Sequence, residues 1–164
     1  MLMADRTDEL KQRVAELDSR HDDWLRRMQC AFGRMMVKSC RFRAVRWVIA
    51  GPFSRVSSWF IVEHGMCGVE RGVKKDAVDI ATEWLKIPTF IRMPYRVAEA
   101  TDERVLIEWD ECAVGFTEPS CLQACQTACE IDIATVRRLG GRLAVTENLL
   151  EGAPRCVFEI TRLP

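Results

Sequence analysis

The chain has 164 residues, 24 Lys/Arg against 24 Asp/Glu, and 48% hydrophobic residues. That is long enough to bury a core in one domain and too apolar for a disordered chain. No run approaches the roughly 18 uninterrupted apolar residues of a membrane span, and balanced charge without a nucleic-acid motif argues against a nucleic-acid partner.

The opening stretch, MLMADRTDELKQ, is polar and acidic and lacks the features of a secretory signal. The eight cysteines are therefore expected to be reduced thiols in a cytoplasmic protein. Residues 5–38 read as one long helix. Leu10, Val14, Leu17, Trp24, Met28, Ala31 and Met35 alternate at spacings of three and four, with His21 in register. Asp5 or Thr7 can cap it, with Asp8 and Glu9 favourable in the first turn. Such a seam packs on another helix or on a second subunit, so the reading is a helical arm over 1–40, part of the same fold, that offers a homodimer contact.

Residues 42–50 fit either a further helix or a buried strand, and Gly51-Pro52 reads as a break. Val56–Val62 is open between a short strand and an apolar helical turn. Gly65, Gly68 and Gly72 mark an irregular segment carrying His64 and Cys67. A helix from about Val73 to Lys86 follows, with Pro88 as its stop. Ile91–Ala100 and Arg104–Asp110 read as strands of a hairpin turning at Thr101-Asp102-Glu103. A helix is expected from about Cys121 to Leu139, stopped by Gly140-Gly141, then strands Arg142–Asn148 and Arg155–Arg162. The predicted fold is α+β: an antiparallel sheet of about four strands with helices on one face, residues 41–164 forming a small-molecule-binding domain behind the arm.

Charge is unevenly spread. Residues 1–75 hold 15 Lys/Arg and 9 Asp/Glu, and 76–164 hold 9 and 15. Between Trp24 and Val62 there are eight basic residues and no acidic one. This segment suits an anionic ligand, with Arg41, Arg43 or Arg46 as candidates, a membrane surface or nucleic acid. The simpler reading is a basic helix face turned to solvent or to the acidic C-terminal half.

Cys121, Cys125 and Cys129 recur every fourth residue, on one helix face that drifts about 40° per step. With Cys112 and Cys156 nearby in the predicted sheet, they could hold zinc or an iron–sulfur cluster. Metal frameworks of that kind favour short Cys-x-x-Cys turns, however, and none occurs here. Pocket-lining or core thiols are the better account, and no cofactor is required. Cys125 is the most core-like of the three. Cys121 at a helix N-terminus would have its thiol pKa lowered by the dipole. His64 and Cys67 suggest a Cys/His pair only if the fold brings them together.

Three fragments carry a family resemblance: Glu111-Cys112, Cys129-Glu130-Ile131-Asp132, and Leu150 to Phe158 with its Gly152 and Cys156. Together they resemble the C-terminal half of the L-2-amino-thiazoline-4-carboxylic acid hydrolase-like family. The closing Gly-x-x-x-Cys-x-Phe is also similar to the end of 4-vinyl-reductase small-molecule-binding domains. The first resemblance implies hydrolysis of a small sulfur–nitrogen heterocyclic acid at a non-peptide C–N or C–S bond. The positions that map onto its motif are Cys112, Cys129, Asp132 and Cys156. From the residues themselves, Cys129, Asp132 and Glu111 are the candidate catalytic groups, with Asp132 or Glu111 as base, and Cys112, Cys121, Cys125 and Cys156 are expected around the ligand. The second implies a non-catalytic ligand- or metal-binding sensor. Ala113-Val114 stands where the hydrolase-like pattern has a proline-aromatic pair, and Asn148 where the other pattern often has a cysteine.

Overall fold

The computed structural model describes residues 5–17, 23–64, 67, 75–90, 93–112 and 114–163. His21, Gly65, Gly68, Gly72, Val73 and Ile91, named above, lie outside the described residues.

Four strands form one antiparallel sheet in the order β1-β2-β4-β3: β1 (Arg96–Ala100), β2 (Arg104–Trp109), β3 (Gly141–Glu147) and β4 (Cys156–Arg162). The α+β expectation holds. Period-two alternation puts Val105, Ile107 and Trp109 on the covered face, opposite Ile160, Phe158 and Cys156. Leu143 and Val145 extend that face into β3. The other face is charged, with Arg96 and Arg155 both paired to Glu108, Arg104 to Glu99 and Arg162 to Glu103. Thr101 closes the β1–β2 turn by accepting and donating hydrogen bonds with Arg104.

Helices α5 (Ala77–Phe90) and α6 (Leu122–Arg138) cover the apolar face. Asp76 caps α5 by accepting from the Asp79 N–H at 2.8 Å, so the helix starts four residues later than Val73. It also runs through Pro88 to Phe90. The proline costs one intrahelical bond in the last turn, which side-chain burial against the sheet offsets. Gly140, at φ 95°, ends α6 in the left-handed conformation that glycine tolerates. Gly141 admits no side chain, since a Cβ would lie 2.9 Å from Ile80 and 3.1 Å from Val136.

The expected single helix over 5–38 is two: α1 (Thr7–Ala15) and α2 (Asp23–Ser39). The chain leaves helical geometry at Glu16 and Leu17. α1 is docked on its own chain. Its first residues extend β1, with Arg6 N–H donating to Ala100 O at 2.7 Å and Ala100 N–H to Thr7 Oγ1 at 2.9 Å. Leu10 is fully buried in the main core. Arg6 reaches Glu9, Asp76 and Asp102, and Arg13 reaches Asp79. Of the expected seam, Leu10 and Val14 are taken up by the main core, whereas Met28 and Met35 in α2 stay exposed.

The break expected at Gly51-Pro52 does not occur. α3 (Arg43–Val48) passes through a π-helical turn (Ile49–Phe53) into α4 (Ser54–Glu63). The wide turn accommodates the proline, whose missing N–H would otherwise leave a normal helix short of a bond. Ser54 Oγ donates to the carbonyls of Ala50 and Gly51 at 2.9 and 3.0 Å. The segment 56–62, open between strand and helix, is helix.

Candidate functional site: a thiol and carboxylate cavity

Two apolar clusters meet behind the sheet. The larger joins α1, α5 and the strands. The smaller joins α2, Cys112, Val114 and Phe116, and the first half of α6, with Met36, Cys40, Phe116, Ala124, Cys125 and Leu150 buried. At their junction lies a cavity of about 230 Å³. Trp84, Trp109, Phe158, Ile87 and Met93 line one side, and Phe32, Val114 and Ala128 the other. Its polar groups are few: Asp132, Glu111, Asn148 and the thiols of Cys112, Cys125, Cys129 and Cys156. No Lys, Arg or His lines it among the described residues.

Helical spacing accounts for the α6 side. Cys125, Ala128, Cys129 and Asp132 fall at steps of three and four, so they form one stripe facing the sheet. Asp132 is held by Trp84, whose Nε1–H donates to Oδ1 at 3.1 Å. Burial in apolar surroundings raises its pKa to about 6, and the Trp84 hydrogen bond only partly offsets that rise. No cation contributes to holding it ionised.

The thiols interlock. Cys129 is pushed well above the ordinary thiol value, chiefly because it donates its proton to Cys125, and burial adds to the rise. Cys125 is lowered for the complementary reason, with help from the side chain of Asn148. Asn148 Oδ1 also accepts from the Leu150 N–H at 2.9 Å and stands 4.0 Å from the Cys156 sulfur. The Leu149 N–H donates to that sulfur at 3.4 Å. Burial raises both Cys156 and Cys112. All eight cysteines are free thiols. Helical neighbours four apart have Cβ atoms about 5–6 Å apart, beyond the roughly 3.5–4.5 Å of a disulfide. Cys125 and Cys129 are therefore both free thiols.

The structure brings together Cys112, Cys125, Cys129, Cys156, Asp132 and Glu111 around this cavity, though unequally. Glu111 is exposed at its edge and does not share the desolvation of Asp132. Cys129, expected as a catalytic group, lines the cavity, and its thiol is pushed well above the ordinary value by Cys125 and by burial. Cys125, expected around the ligand and the most core-like of the three, is buried in the cavity wall, and its thiol is lowered by Cys129. Cys121 is not among the lining residues. It sits in a 3₁₀ turn (Pro119–Cys121) ahead of α6 and packs in the smaller cluster. The three-residue repeat of that turn rotates it off the α6 stripe. No group of three or more His, Cys, Asp or Glu residues is placed to share a metal ion, among the described residues. His64 is exposed beside the Trp59 ring, 4.8 Å between centroids, whereas Cys67 is buried and donates to Glu83 O at 3.2 Å. They do not form a site.

Sequence reasoning passed over Trp84 and Asn148 as site residues. The only signals were Trp84 on the apolar face of its helix and Asn148 beside a turn. Trp109 adds a further polar feature, because its Nε1 is buried with no hydrogen-bond partner among the described residues. It stands among the rings of Tyr95, Trp84 and Phe158, at 5.4, 6.4 and 5.9 Å between centroids. Comparison with protein-family models, curated proteins and solved structures gives no significant match to this chain.

Proposed function

We propose that this chain is a small-molecule pocket protein whose ligand is apolar and meets one polar group, the carboxyl of Asp132. The observation that carries this is a desolvated carboxyl with no lining cation among the described residues, set in a cavity walled mainly by rings, aliphatic side chains and thiols. A cavity of about 150 Å³ takes benzene. One ring with a short substituent suits 230 Å³.

The same geometry narrows the ligand's charge. A carboxylate ligand, as in the heterocyclic acids implied by the hydrolase resemblance, would face Asp132 with no lining cation to balance it. A neutral or cationic ligand fits. An ammonium group would ion-pair with Asp132 and lie against the faces of Trp84 and Trp109. Phenethylamine, phenethyl alcohol and phenylacetate, titrated against tryptophan fluorescence, test this. The amine and the alcohol should bind, the amine tighter by about tenfold, and phenylacetate should not. Asp132→Asn should erase the amine's advantage and leave the alcohol. If none of the three binds, the pocket reading fails.

Hydrolysis is the second reading, and the near-neutral pKa of Asp132 favours it, because a base poised there can take a proton from water. In that case Asp132→Asn should lower kcat on a responsive substrate by about 10²-fold or more, the usual scale for a general base, while Cys129→Ser keeps most of it.

A further inference from the structure

The helix that runs from α3 through the π turn to α4 buries two serines with Val62 and leaves most of its large apolar side chains in water. Ser54 and Ser58, 2% and 1% exposed, face the protein. Ser58 Oγ accepts a hydrogen bond from Arg138 Nε of α6 at 3.1 Å. Outward stand Trp47 at 71%, Val56 at 63% and Phe60 at 59% exposed, with Val48, Phe53 and Trp59 beside them and Phe42 just ahead. A surface helix normally shows the reverse pattern. A contiguous apolar face of this kind marks a surface that something covers.

Charge selects the cover. Arg41, Arg43 and Arg55 are exposed along the same segment, and no ion pair holds them among the described residues. Arg46, in contrast, is turned inward onto Cys40 O and Gln123 Oε1. No acidic residue occurs from Trp24 to Val62 to pair with them. Two copies of the chain joined through this face would bring like charges together. A bilayer surface bearing anionic headgroups would neutralise them, and Trp and Phe rings are the side chains that the headgroup boundary takes up. No helix among the described residues is long and apolar enough to cross a membrane, which leaves this one to lie flat.

We propose that the 43–63 helix docks the protein on an anionic lipid surface. Trp47, Val56, Trp59 and Phe60 enter the acyl boundary, and Arg41, Arg43 and Arg55 meet headgroup phosphates. Co-sedimentation of the full chain with vesicles of phosphatidylcholine, alone or mixed with phosphatidylserine, tests it. Partitioning should be about tenfold or more stronger onto the phosphatidylserine mixture and should weaken with added salt. The Trp47→Gln/Phe60→Gln variant, whose sites are exposed and so should leave the melting curve unchanged, should stay in the supernatant. Arg41→Gln/Arg43→Gln/Arg55→Gln should lose the preference for phosphatidylserine. Three results overturn the proposal: no sedimentation with either vesicle, equal partitioning onto both, or a lipid-free dimer that Trp47→Gln/Phe60→Gln converts to monomer.

Discussion

The two halves behind the sheet are built differently. On the α1–α5 side, Leu10, Ile80, Leu85, Val105, Ile107 and Ile160 are fully buried against one another, and Arg6 and Arg13 tie α1 to Asp76, Asp102 and Asp79. On the α2–α6 side the buried groups include thiols and a carboxyl, a cavity interrupts the packing, and the adjoining 43–63 helix leaves its rings in water. The first arrangement maximises contact and leaves nothing for a ligand to satisfy. The second keeps a desolvated carboxyl and empty volume, which cost stability and are retained where something binds. Stability and the proposed function are thus divided between neighbouring regions that share a single sheet.

Truncation should expose that division most strongly. Ile107→Ala removes a side chain with no exposure from the centre of β2 and should cost about 2–5 kcal/mol in urea unfolding. Cys129→Ala, at the cavity wall, removes one sulfur beside existing empty space and should cost about 1 kcal/mol or less. Equal losses would break the comparison, because the cavity would then be packed as tightly as the core.

Asp132 should give the next effect, with an unusual sign. Its folded pKa is about 6 against an ordinary 3.8. Between these values the folded state holds the proton more tightly than the unfolded chain, so stability falls as pH rises. The penalty is absent below the unfolded value and complete above about pH 6, on the order of 3 kcal/mol from the size of the shift. Asp132→Asn keeps an oxygen for the Trp84 N–H and removes the charge. The variant should therefore be more stable than the parent at pH 7.5, with the gap closing toward pH 4. Urea melts at the two pH values check this, and a variant less stable than the parent at pH 7.5 would show that the ionised carboxylate has a partner.

Much of the tight half was legible in the sequence, because its signals are local. Alternation across Arg104–Trp109, the Thr101-Asp102-Glu103 turn and the Gly140-Gly141 stop each act within a few residues, and the four-strand sheet follows from them. The cavity was half legible. The Cys125–Cys129–Asp132 stripe is a helical repeat, but the Trp84–Asp132 contact joins residues 48 apart and has no local trace. Cys121 was misplaced because the repeat was extended into a 3₁₀ turn. The 43–63 helix was least legible. Two serines, Ser54 and Ser58, are buried beside Val62 while Trp47, Val56, Trp59 and Phe60 stay exposed, so burial could not be inferred from hydrophobicity, and the π turn took up the Gly-Pro pair that reads as a stop.

The smallest effect is one of rate, and it resolves the thiols themselves. Cys67 is buried in the tight half, and burial, reinforced by the charge of Glu83, raises its pKa to about 12. Cys125 in the cavity is lowered by the proton that Cys129 donates to it. Thiolate is the form that iodoacetamide alkylates, so at pH 8 the native protein should label at Cys125 before Cys67, as read by peptide mass spectrometry. Cys129→Ala removes the donor, and labelling at Cys125 should then slow by several-fold, although the cavity is more open and access is no worse. That opposition separates the two causes. If access governed the rate, the variant would label faster, and the thiol pair would be a packing contact with no bearing on the chemistry of the cavity.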